Sequence, residues 1–90
     1  MPYIKKYSRD NLDPKEWSVP VAGSAGDLNF QITRLINDYL KLNGLSYSNI
    51  NECIGVLECS KLELYRRIAA PYEDKKIVEN GDVYNLEESP

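Results

Sequence analysis

Ninety residues, 42% hydrophobic and 28% charged, with a formal net charge of −3, describe one small acidic domain with room for a modest core. No apolar run reaches the roughly 20 residues of a membrane helix, and the acidic balance disfavours sequence-independent nucleic-acid binding. Histidine is absent, which removes the commonest general base and metal ligand.

In chain order, residues 1–26 read as an irregular arm. Met1-Pro2-Tyr3-Ile4-Lys5-Lys6 has no apolar stretch of the signal-peptide kind, so a cytoplasmic location is expected. Lys5, Lys6 and Arg9 offer a nucleic acid only a weak, salt-sensitive contact. Asp13-Pro14 signals a short helix start, with Asp13 as N-cap, and Pro20 stops any helix there. Trp17 is expected to dock the arm onto the helical body. Val21 to Gly26 reads as a flexible connector. Its G-x-x-G lacks the phosphate-loop frame, and Asp27 would oppose an anion at the helix start.

The first main helix is expected over about 27–42, capped by Asp27. Leu28, Ile32, Leu35, Ile36, Tyr39 and Leu40 form one face, and Asn43-Gly44 makes the stop. Ser46 or Ser48 can cap a second, longer helix over about 47–70. One stripe carries Ile50, Cys53, Ile54, Leu57, Leu64 and Ile68; another carries Val56, Cys59, Leu62 and Ala69. Together they make an apolar surface wider than one partner helix can bury. Gly55, inside this helix, suggests close helix–helix approach. Pro71 is expected to end the helix and push Ala70 out of the α region. A short helix over about 72–80 follows, stopped by Asn80-Gly81, and an extended tail covers 81–90. The fold class is therefore all-α: a single domain, 1–90, built as a small helical hairpin or bundle on two main antiparallel helices.

Cys53 and Cys59, six apart on a helix, point about 120° apart, too far for a disulfide, and fit no zinc spacing. Glu52, Glu58 and Glu63 lie on one helix without sharing a face, so one divalent ion cannot be held by all three; no cofactor or metal is expected. No nucleophile–base pair stands out, and the chain is read as non-enzymatic. Charged pairs at helical spacing, Glu58 with Lys61 and Glu63 with Arg66 or Arg67, suit a solvated face. Glu58, bordering both apolar stripes, is also a candidate for half-burial and a cross-helix pair with Arg34. Seven tyrosines against one Phe and one Trp are the unusual feature, because Tyr and Arg are enriched at interface hot spots. Candidate interaction residues are Arg34, Glu58, Lys61, Tyr65, Arg66, Arg67, Tyr72, Glu73, Asp74 and Tyr84.

The opening M-P-Y-I-K and the blocks G-D-L-N-F-Q-I-T-R-L (26–35), I-N-E-C-I-G-V-L-E-C-S-K-L-E-L-Y-R-R (50–67) and P-Y-E-D-K-K-I-x-E-N-G-D-V-Y (71–84) resemble a family of short uncharacterised proteins of tailed bacteriophages and some bacteria. They carry a domain of unknown function. The resemblance spans most of the chain outside 15–25 and the last residues, and it implies an accessory protein of the bacterial cytosol with no known activity. It draws attention to residues 71–84 as a docking surface or a structural clasp. The expected function is a protein-interaction module that pairs with itself and with a host or phage protein. A nucleotide-like ligand held by Arg34, Lys61, Arg66, Arg67 and Tyr65 or Tyr72 is the alternative.

Overall fold

The computed structural model describes residues 2–13 and 20–86. Every regular element among them is helical: α1 (Lys6–Leu12), α2 (Ala25–Asn43), α3 (Tyr47–Leu64), a π turn (Tyr65–Ala69) and α4 (Ala70–Asn80). The chain divides into two compact units, Met1–Leu57 and Glu58–Pro90, with α3 contributing to both.

In the first unit, the arm read as irregular contains α1, supported on its surface by a Lys6–Asp10 ion pair at 3.6 Å. The helix has no apolar stripe, so periodicity alone does not announce it. Asp13 closes α1 in an extended conformation, its N–H donating to the Arg9 carbonyl. The short helix expected after Asp13, and Trp17 with it, lie outside the described residues.

α2 begins two residues before the expected start. Ser24, not Asp27, is its N-cap: the Ser24 hydroxyl accepts from the Asp27 N–H at 3.1 Å. Asp27 reaches back to accept from the Gly23 N–H at 3.4 Å. This reciprocal cap satisfies two backbone donors and places a carboxylate at the positive end of the helix. Asn43-Gly44 stops α2 as expected, with Gly44 at φ 106°, a conformation that favours glycine.

The turn into α3 is locked by side chains. Ser46 caps α3 by accepting from the Asn49 N–H at 3.1 Å. The Asn49 amide donates to the carbonyls of Asn43 (3.0 Å) and Gly44 (2.9 Å). α2 and the first turns of α3 thus form an antiparallel hairpin, closed higher up by the Tyr39 hydroxyl donating to Glu52 Oε1 at 3.1 Å. Cys53, 8% exposed, is the buried hydrophobic residue among those described, and Ile36 and Leu40 are half-buried. Gly55 does not mark a close approach among the described residues: none of them lies within 4 Å of where its Cβ would stand.

In the second unit, helix continues through Pro71 instead of ending there, and Ala70 keeps α geometry (φ −64°, ψ −47°). The reason is the π turn. A proline in a helix interior lacks an N–H and crowds the carbonyl four residues back, here that of Arg67. From Tyr65 to Ala69 the helix widens, and the Ala70 N–H bonds the carbonyl of Tyr65, five residues back. The wider turn relieves the crowding, so helix passes the proline unbroken. α4 ends at Asn80 as expected, where Gly81 takes φ 88° and its N–H bonds the Ile77 carbonyl. The tail through Leu86 has no regular structure; the Tyr84 N–H donates to Asp82 Oδ1 at 3.0 Å.

Candidate interaction surface

The expected site residues separate into local groups. In the first unit, Arg34 stands one helical turn from Phe30, its guanidinium carbon 5.8 Å from the ring centroid. Glu58, expected to be half-buried, is exposed and meets Lys61 at 3.2 Å on its own helix. Arg66 grips both oxygens of Glu63 at 3.1 and 3.2 Å, and Arg67 stands 3.9 Å from the same carboxylate. The Glu63 side chain, only 17% exposed, is the most sheltered acid of these pairs. Glu52, Glu58 and Glu63 therefore serve three different partners: Tyr39, Lys61 and the two arginines. Cys53 and Cys59 are free.

The second unit gathers three of the expected residues around one open concavity of about 480 Å³, lined by Tyr65, Glu73 and Tyr84 together with Lys76 and Ile77. The Tyr65 hydroxyl donates to Glu73 Oε1 at 3.2 Å. Eight residues apart, the two would point about 80° apart on an unbroken α-helix. The π turn adds one residue between them, so that Glu73 falls where the seventh residue would, near the face of Tyr65. The negative charge of Glu73, and then the hydrogen bond to it, hold the Tyr65 phenol above its ordinary range, with smaller contributions from Asp74 and Tyr84. Asp74 is exposed on α4. Lys76, absent from the expected residues, stands 5.5 Å from the Tyr72 ring centroid and 3.3 Å from Glu79. Its i, i+4 spacing from Tyr72 was the available signal.

The first unit has its own feature, a small groove of about 190 Å³ between α2 and α3. Leu35, Ile36 and Tyr39 line one side and Glu52, Cys53 and Val56 the other. Its walls are almost wholly apolar; the Tyr39–Glu52 hydrogen bond is the polar contact across it. That bond, and next the charge of Glu52, raise the Tyr39 phenol above its usual value. Tyr39 and Glu52 stand at nearly equal distances on either side of the turn at 44–46, which is how an antiparallel hairpin pairs its helices. The pairing was therefore readable once the turn was placed.

Among the described residues, no three Cys, Asp or Glu side chains come together as metal donors, and no helix is long and apolar enough to cross a membrane. No curated protein and no solved structure matches the chain. A family model described as Domain of unknown function (DUF6899) matches residues 1–83, nearly the full length, and the chain belongs to that family.

Proposed function

We propose that the chain is a non-enzymatic protein-interaction module that works as a homo-oligomer and binds a further protein through tyrosine and arginine anchors. The observation that carries this reading is exposure. Large apolar side chains along α2, α3 and α4 stand open to solvent, while one apolar residue among those described is buried. A soluble chain with so little core gains its stability by covering that surface with protein.

The anchors for a further partner are Tyr65 and Tyr84 around the concavity beside α4, with Tyr72 and Arg67 nearby in sequence. The nucleotide-like alternative is supported less well. The one cation lining that concavity, Lys76, is paired with Glu79, and Glu73 and Asp82 line it too, a charge balance that opposes an anionic ligand. We read the module as a phage-type accessory protein of the bacterial cytosol, a reading supported by the resemblance of its sequence blocks.

Light scattering on the eluting peak of a sizing column tests the reading. The expected mass is a multiple of 10.3 kDa. A 10.3 kDa species persisting at high protein concentration overturns the oligomer.

A further inference from the structure

Along α2, Leu28, Ile32, Leu35, Tyr39 and Leu42 repeat at spacings of four, three, four and three. This is the a/d pattern of a coiled-coil seam, with leucine at each d position and isoleucine then tyrosine at a. All five are between 37% and 85% exposed, so the hairpin leaves its own seam uncovered. The face that α2 turns toward α3 is a neighbouring one, marked by half-buried Ile36 and Leu40.

We propose that this seam is the self-association surface, and that its occupant is α2 of a second copy of the chain. The inference rests on the interaction-module reading and names the partner and the residues. Two observations select a second copy. The a/d residues form matched layers only against a helix with the same spacing and length, which α2 itself supplies. The flanking e and g positions are Asn29, Gln31, Ile36, Asp38 and Asn43, with one charge among them. Coiled coils choose foreign partners through charges at these positions, and this seam has no such code. Nor does it set like charges against each other when two copies meet, parallel or antiparallel.

The neighbouring groove fits the same docking. Leu35 and Tyr39 belong to both seam and groove, and Val56 lines the opposite wall. At about 190 Å³, the groove has the volume of one large side chain from the second copy. Leu35, at the middle of the stripe, meets its own counterpart when the two copies run parallel.

The test compares the full chain with Leu35→Glu and Leu42→Glu by sedimentation equilibrium, with far-UV circular dichroism as the control for folding. Both sites are exposed, at 71% and 85%, so the hairpin itself is not expected to unfold. The expected result is an oligomer for the parent chain and self-association weakened roughly a hundredfold in each variant, as for a charge placed in an apolar seam. A second, uncharged arm, Leu35→Cys in a Cys53→Ala, Cys59→Ala background, is expected to yield a disulfide-linked dimer of parallel copies under mild oxidation of the native protein. If the parent is oligomeric but neither glutamate variant changes its mass and Leu35→Cys does not cross-link, the seam is overturned while the module reading stands. A monomeric parent overturns both the seam and the oligomer.

Discussion

Two tyrosines tie their hydroxyls to carboxylates, and each bond has a pH signature. Tyr39 donates to Glu52 and Tyr65 to Glu73, and both phenols are held above the ordinary value near 10. A raised phenol pKa means the native state holds its proton more tightly than the unfolded chain. The contribution to stability is present below pH 10 and is lost as pH rises through the native value. Spectrophotometric titration at the phenolate band should show two phenols ionising late. Glu52→Gln should return the Tyr39 phenol toward the ordinary range, and Tyr39→Phe should delete it from the titration.

Gly55 makes a second residue-scale prediction. Its Cβ position is open, so Gly55→Ala should stabilise α3 by about 1 kcal/mol. In a domain this small that is a rise in melting temperature of roughly 4–8 °C. A loss of stability would show that this side of α3 is packed against something in solution.

For the elements, most boundaries were legible in local chemistry. The stops at Asn43-Gly44 and Asn80-Gly81 and the serine cap of α3 follow from single residues with one structural role each. Where legibility failed, two local rules competed. Ser24 and Asp27 are both good caps, and the sequence alone does not say which closes the turn and which answers it. Pro71 breaks most helices, but the preceding turn can widen to carry it, and nothing in Tyr65 to Ala69 advertises that choice. The site shows the same division. Tyr65, Glu73 and Tyr84 were recognisable by type, but the Tyr65–Glu73 bond depends on the extra residue of the π turn.

Pro71→Ala follows from this. With the proline gone, the turn is free to tighten to α geometry, which should stabilise the helix by up to about 3 kcal/mol in denaturant unfolding. Tightening also turns Glu73 through about 100°, leaving it about 80° from Tyr65. The late phenol of Tyr65 should then return to the ordinary range, and that return distinguishes the register change from simple removal of a proline.

At the scale of the whole molecule, the imbalance is between surface and core. One apolar residue is buried among those described, a small contribution against the conformational entropy of ordering a chain. If the proposed self-association holds, covering the exposed face adds to the stability of the fold, and stability should then depend on protein concentration. The melting temperature is expected to rise steadily with concentration, and Leu35→Glu should flatten that dependence. A melting temperature independent of concentration in the parent chain would separate folding from assembly.

The free thiol in the α3 wall of the α2–α3 groove also makes the hairpin a clock. Cys53 is buried, and a soluble thiol reagent can reach it only while the two helices are apart. Cys59, half-buried, supplies a faster reference within the same molecule. The ratio of the two alkylation rates counts opening events of the first unit without any added label. Tyr39→Phe, which removes the bond across the groove, should speed Cys53 modification and leave Cys59 as it was.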